Sequence, residues 1–223
     1  MIDWDQVDTV LLDMDGTLLD LRFDNHFWLE YLPRRYAQVR RLSVEAARAE
    51  LLPHMRRLEG SMQWYCLDYW SRALELDIPA LKREVGHLIG FRPRAVEFLQ
   101  ALERAGKRRV LVTNAHRAAL ALKCERTELA AHLDVMISSH DFGHPKEQAG
   151  SWRALQQVVP FDPARTLLLD DTVSVLRAAR DHGIRWLLGI AQPDSGQGRR
   201  QQGEFALLED FAQIMPAAAG CSA

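Results

Sequence analysis

Asp13 and Asp15 stand one residue apart in the stretch LLDMDGTLLD, where an apolar run gives out directly before Gly16 and Thr17. Further along come Thr113 and Asn114 in LVTN, Lys146 in PKE, and Asp170 and Asp171 at the end of LLLDD. Four carboxylates gathered in one crevice repel one another and raise one another's pKa values unless a cation stands between them. An acidic, all-oxygen set suits Mg²⁺, which keeps several waters and takes one or two carboxylates plus a substrate phosphate. Lys146 supplies a second positive charge and Thr113 a hydroxyl, and the combination describes a phosphate site.

For these groups to meet, the fold must carry them to one edge. Five short apolar runs, Thr9–Leu12, Arg109–Val112, Val135–Ile137, Thr166–Leu169 and Trp186–Ile190, read as buried parallel strands. Helical patterns lie between them, clearest in RAVEFLQALERAG, where Ala95, Phe98, Leu99 and Leu102 share a face and Gly106 ends the helix. Alternating strands and helices predict an α/β fold with an open parallel sheet. In such a sheet the loops at the carboxyl ends of the strands converge on one crevice, and each of the singled-out residues falls in such a loop. Residues two apart in an extended segment point the same way, so Asp13 and Asp15 can face one ligand. Gly16 permits a sharp turn straight afterwards, and Thr17 is placed to satisfy loose backbone groups within it.

The first crossover is far longer than a simple connection needs. From about Phe27 to Ile89 the chain reads as helix throughout, with Ser43 as an N-cap and Pro79 as a first-turn proline, which makes an inserted helical module. Within it, WYCLDYW reads as one helix in which Tyr65 and Tyr69 share a stripe flanked by Trp64 and Trp70. That face is either the module's own core or a platform for stacking on a base. Asp24 and Asn25, at the entry to the module, are candidates for a hinge or for substrate contacts. Near the other end, PDSGQGRRQQG reads as a mobile loop before a last helix around residues 206–214, and the tail AAAGCSA as frayed.

Composition narrows the function. The 223 residues suffice for one well-packed core and an accessory module, and a formal net charge of -2 gives no basic excess for nucleic acid or an anionic membrane. No targeting segment and no membrane-spanning run is legible, so the expectation is a cytoplasmic protein with reduced thiols; oligomeric state leaves no mark on the sequence. Cys66, Cys124 and Cys221 are odd in number, far apart and without CxxC spacing, which argues against a disulfide framework or a zinc knuckle. His116 and His140 have no partner at ligand spacing and read as surface groups or as supports behind the site. Asp170, Asp171 and Thr172 are also candidates to cap the helix beginning near Val173.

Taken in order, DMDGT, LVTN, Lys146 and LLLDD resemble the motifs of the haloacid dehalogenase-like (HAD) phosphohydrolase superfamily, and the helical insertion sits where that family carries a cap. Across nearly the whole chain, through FDNHFW, WYCLDYW, LVTNAH, AHLD, PKE, DD and PDSG, the likeness is to the enterobacterial GMP/IMP 5'-nucleotidase branch. The resemblance implies a Rossmann-like core of residues 1–20 and 91–223 with a cap over 21–90. It implies Mg²⁺-dependent hydrolysis of purine 5'-mononucleotides: Asp13 matches the nucleophile that becomes a phosphoaspartate, and Asp15 the acid/base. Thr113, Asn114 and Lys146 then hold the phosphate. The Asp13 carboxylate, the Asp15 main-chain carbonyl and Asp171 hold the metal, with Asp170 acting through water. The partner is a small phosphate ester, neither a nucleic-acid polymer nor a membrane. Another ester, such as phosphoglycolate or a sugar phosphate, is the alternative within the same chemistry, and a phosphomutase shares the motifs; Asp15 and the Asp170–Asp171 pair count against a dehalogenase. Two positions depart from the family pattern: Pro145-Lys146-Glu147 stands where Lys-Pro is usual, and Val175 where relatives often have a polar residue.

Overall fold

A computed structural model describes residues 2–217. Cys221 and all of AAAGCSA except Ala217 lie outside the described residues. Six strands form one parallel sheet in the order β3-β2-β1-β4-β5-β6: β1 is Thr9–Leu12, β2 Arg108–Thr113, β3 Val135–Ser138, β4 Thr166–Leu169, β5 Trp186–Ile190 and β6 Leu207–Leu208. All five expected strands are present. Thr113 proves to be the last residue of β2 rather than the first beyond it.

From β1 the chain moves outward to β2 and β3, then returns to the other side of β1 for β4 and β5. The order therefore reverses at β1, which is where an open sheet forms its ligand crevice. Register fixes the height of each strand end. Leu12 is level with both Leu111 and Leu169, and Thr113 with Ser138. Asp13 and Asp170 therefore emerge side by side, and Asp13 N–H donates to the Leu169 carbonyl at 3.0 Å.

Apolar strands of this kind must be buried on both faces. Val10 and Leu12 pack with Phe98, Leu99 and Leu102 of α7 (Ala95–Arg104), whereas Leu11, between them, packs with Trp152 and Leu155 of α9 (Ala149–Val158) and Leu176 of α10 (Val173–Asp181). The two clusters alternate along β1 as the pleat requires.

Between β1 and α7 runs a helical layer: α1 (Arg22–His26), a π-helical stretch (Phe27–Tyr31), α2 (Leu32–Arg40), α3 (Val44–Leu58), α4 (Met62–Tyr65), α5 (Leu67–Leu74) and α6 (Ile78–Glu84). Helix is thus the dominant structure, as expected, but it begins five residues earlier and is broken repeatedly. Ser43 caps α3 by accepting from Ala46 N–H at 3.1 Å, and Asp77 caps α6 with Pro79 in its first turn. Phe23, Phe27, Leu51, Trp70 and Ile78 form a third buried cluster, closed below by Ala119 and Leu122 of α8 (Arg117–Thr127). Entry and exit of the layer lie side by side: Leu19 bridges Phe91 antiparallel, with Asp20 N–H donating to the Gly90 carbonyl and Arg92 N–H to the Leu18 carbonyl.

Three expectations are corrected. WYCLDYW is not one helix: Cys66, extended at ψ 109°, separates α4 from α5, so Tyr65 and Tyr69 do not share a stripe. Residues 206–214 form β6 and a 3₁₀ turn, Phe211–Ile214, instead of a helix. Gly189 on β5 leaves the space that the Leu207 side chain fills, since a Cβ there would stand 2.7 Å from Leu207 Cδ2, and the Asp210 side chain then accepts from Ala212 N–H to start the turn. The segment PDSGQGRRQQG is tied down in its first part, where the Pro193 carbonyl accepts from Leu21 N–H and Arg200 N–H reaches the Ala191 carbonyl.

Candidate active site

Asp13, Asp170 and Asp171 are buried at the carboxyl ends of β1 and β4, and one carboxylate oxygen of each lies within 4.8 Å of the others. Lys146 Nζ stands between Asp13 Oδ1 (2.5 Å) and Asp170 Oδ2 (2.6 Å), and the lysine is 2% exposed. Burial pushes the carboxyl of Asp13 up to about 6; Lys146 opposes the shift and the neighbouring Asp170 adds to it. Burial likewise takes Asp170 to about 6 against Lys146, and Asp171 to about 6 with help from Asp13 and against Arg200. Lys146 is held above its ordinary range, because the two carboxylates outweigh its own desolvation.

The turn after Asp13 is shaped for close approach. Met14 returns to the core while Asp15 faces the same crevice as Asp13. Gly16 has φ +86°, and a Cβ there would fall 2.8 Å from Asp171 Cγ, so glycine is required twice over: for the left-handed backbone and for room beside the carboxylate. Thr17 does not serve the turn with its hydroxyl, which is buried without a partner; its carbonyl accepts from Arg92 Nη1 at 3.2 Å.

Asp15 does not join the acidic trio. Its carboxylate contacts Lys123 Nζ at 2.6 Å, and the same ammonium reaches Asp24 Oδ2 at 2.6 Å, while Asp24 Oδ1 accepts from Lys82 at 2.7 Å. Burial carries Asp15 up to about 6 in spite of Lys123, aided by the negative charges of Asp24 and Asp13. Burial would raise Asp24 too, but two ammonium groups overcome it and hold that carboxyl well below the usual range. Lys82 is lowered by desolvation; its Nζ sits 4.6–5.3 Å from the ring centres of Phe23, Phe27 and Trp28. Asp24 is therefore a buried ionic bridge between the helical layer and α8.

These groups form the floor of a crevice of about 600 Å³, roofed by Trp28, Trp64, Tyr65 and Trp70. Trp70 is fully buried and Tyr69 pairs with His54, so Trp28, Trp64 and Tyr65 are the rings with a free face or edge to offer. Tyr65 OH donates to Glu147 Oε1 at 2.6 Å, joining α4 to the Lys146 loop. Asn114 holds the same loop: its Oδ1 accepts from Lys146 N–H and its Nδ2 donates to Glu147 Oε2, both at 2.9 Å. Thr113 Oγ1 accepts from Ala115 N–H at 3.0 Å, which leaves its own proton free.

The structure thus brings Asp13, Asp15, Thr113, Asn114, Lys146 and Asp171 to one crevice, as the spacing predicted, with Asp170 buried behind Lys146 and not part of the lining. Asp24 and Asn25 also face it, Asn25 donating to Asp194 Oδ2. Thr172, one of the capping candidates, stands at the N-cap of α10 but makes no side-chain bond there, and Asp170 Oδ1 accepts from Thr172 N–H. Lys82, Lys123, Trp28 and Arg200, which contacts Asp171, were not legible as site residues. For Lys123 a signal exists: it lies three and four places after Leu120 and Ala119 on the buried stripe of α8, where a lysine must find a partner.

The profile of the haloacid dehalogenase-like hydrolases matches residues 7–183. The chain belongs to that family, and it is a phosphohydrolase. It is similar to the GMP/IMP nucleotidase YrfG of Escherichia coli (strain K12), at 43% identity over 215 residues covering 96% of this chain and 97% of that protein. Among solved structures it resembles a HAD phosphatase from Thermococcus onnurineus (TM-score 0.75, 18% identity, 93% of this chain and 96% of that one). It also resembles CbbY from Rhodobacter sphaeroides in complex with phosphate (TM-score 0.62, 19% identity, 93% and 96%). These two likenesses establish the fold. Among the described residues, no helix is long and apolar enough to cross a membrane.

Proposed function

We propose that the chain is a Mg²⁺-dependent 5'-nucleotidase acting on purine mononucleotides, GMP and IMP foremost, with residues 21–90 as a cap over a core of 1–20 and 91–223. The observation that carries this reading is a crevice with a buried acid-and-lysine floor and an aromatic roof, in a chain similar over 96% of its length to a GMP/IMP nucleotidase. The acidic trio fits the metal: its donors are all oxygen, buried, and within 4.8 Å of one another. Asp13, Asp171 and the Asp15 carbonyl would hold Mg²⁺, with Asp170 acting through water, and the ion supplies the positive charge that lets carboxylates and a phosphate dianion share one site.

Asp13 attacks phosphorus, forming an acyl-phosphate bond as the bond to the nucleoside 5'-oxygen breaks. Asp15 gives its proton to that oxygen, and a carboxyl raised to about 6 carries a usable proton near neutral pH. In the second half the Asp15 carboxylate takes a proton from water, which attacks phosphorus and restores Asp13. Lys146 and the Thr113 hydroxyl bind the phosphoryl oxygens, and Asn114 contributes by keeping Lys146 in place. The roof excludes bulk water and takes the purine against Trp28, Trp64 or Tyr65.

A panel of phosphate esters tests the assignment. GMP and IMP are expected to give the highest kcat/KM, and AMP, without the 6-oxo group, to fall behind by about a hundredfold, which corresponds to about 2.7 kcal/mol of transition-state discrimination. A higher value for phosphoglycolate or a hexose phosphate sinks the nucleotidase reading and leaves the phosphohydrolase standing.

A further inference from the structure

Beside the crevice, three side chains that are far apart in sequence meet where the helical layer touches the sheet. Cys66 occupies the break between α4 and α5, His116 follows β2 and caps α8, and His140 lies in the 3₁₀ turn Ser139–Asp141 after β3. One donor atom of each, the sulfur and one nitrogen per ring, lies within 4.8 Å of the other two. The rings of His116 and His140 meet edge to face at 5.0 Å.

Cys66 and His140 have donor atoms to offer, whereas His116 Nδ1 accepts from Ala118 N–H at 3.3 Å, a bond that coordination through that nitrogen would replace. Cys66 is a free thiol at the start of α5, where its Sγ accepts from Tyr69 N–H at 3.4 Å. His140 Nε2 is buried and has no hydrogen-bond partner, a cost that an electron-pair acceptor would remove. Asp68 places a carboxylate 3.6 Å from His116 Nε2, adding negative charge next to the cluster.

We propose that Cys66, His116 and His140 form a zinc site that fastens the helical layer to the loops after β2 and β3. One sulfur and two imidazole nitrogens suit Zn²⁺ and leave a fourth position for water, whereas Mg²⁺ keeps to the all-oxygen trio. Binding replaces the thiol S–H bond by a Zn–S bond and releases the proton to solvent. The donors must draw closer to coordinate one ion, and that movement pulls the α4–α5 junction onto the sheet beside the Tyr65–Glu147 contact. Zinc would then hold the crevice shut.

The test is a titration of the metal-stripped full-length protein with Co²⁺ in excess Mg²⁺, followed by displacement with Zn²⁺. One Co²⁺ per chain with a thiolate-to-cobalt charge-transfer band is expected. Cys66→Ser should lose the band and weaken zinc binding by more than about 100-fold, while His140→Gln keeps a thiolate ligand but loses at least about 10-fold in affinity. Zinc should also slow amide exchange in α4 and α5 of the wild type and not of Cys66→Ser. A wild type without the band overturns the site regardless of how the variants fold. Equal zinc affinity in Cys66→Ser and wild type overturns it too, by placing the ion on the acidic trio, and unchanged exchange in α4 and α5 overturns the fastening. None of these measurements depends on the substrate.

Discussion

Lys123 faces Asp15 and Asp24 at 2.6 Å each, so its charge bears directly on both the proposed proton donor and the ionic bridge above it. Replacing it by methionine removes the influence that lowers Asp15, whose pKa then rises. In single-turnover measurements the first half-reaction with a nucleotide should lose its rate at higher pH in Lys123→Met than in wild type. Overall kcat should drop by roughly 10² as deprotonation of Asp15 for the second half becomes harder. An unmoved pH profile would mean that Lys123 only fills space. Asp13→Asn should reduce turnover by at least about 10³ with the far-ultraviolet circular dichroism unchanged, because the amide cannot attack phosphorus. The aspartates and Thr113 were legible because each follows or ends an apolar run, and parallel strands bring their carboxyl ends to one edge whatever their order in the sheet; Lys146, well past the end of β3, was legible only from its place in the order of the motifs. Lys82, Lys123 and Arg200 were not, because their partners lie 58, 99 and 29 residues away, and the buried stripe that carries Lys123 shows that it needs a partner without showing which.

At the scale of elements, the tight turn at Gly16 and the break at Cys66 decide the geometry. Gly16→Ala puts a Cβ against Asp171 in a left-handed backbone, and a cost of about 2 kcal/mol is expected, read as a drop in Tm of roughly 4–8 °C for a chain of this size. Calorimetry showing no change would mean that the Asp171 side chain can step aside freely. Strands were readable almost to the residue because a strand buried on both faces is a continuous apolar run. The helical layer was readable as helix but not in its breaks: the extended Cys66, and the left-handed Arg41 and Glu75, carry no glycine or proline to announce them. The same blindness hid β6, which depends on the vacancy over Gly189 rather than on anything in its own two leucines.

For the whole molecule, four carboxyls raised from 3.8 to about 6 set the dependence of stability on pH. Between those values the folded chain binds more protons than the unfolded one, so these groups stabilise at low pH and that stability is lost as pH rises through about 6. Asp24, shifted the other way, acts only as pH falls below its unfolded value. In chelator, these groups should therefore lower Tm between pH 5 and pH 7. Added Mg²⁺ should raise Tm more at pH 7 than at pH 5, since it binds the ionised trio. An Mg²⁺ increment that is larger at pH 5 would contradict the assignment of Asp13 and Asp171 as ligands.

The neck of the helical layer, where Leu19 bridges Phe91 and Asp20 N–H meets the Gly90 carbonyl, gives the chain the architecture of a cassette. Its two ends are already as close as the strands of a hairpin, so a turn of a few residues could replace everything beyond them without moving β1 or α7. Exchange of the cassette would leave Asp13, Lys146 and Asp170–Asp171 on their own strands and loops, and would uncover Ala115, Ala118, Ala119, Leu122 and Lys123 at and before α8 and part Glu147 from Tyr65. On the proposed reading, chemistry and recognition are written in separable stretches of one chain, and the molecule could be respecified in one without being rebuilt in the other.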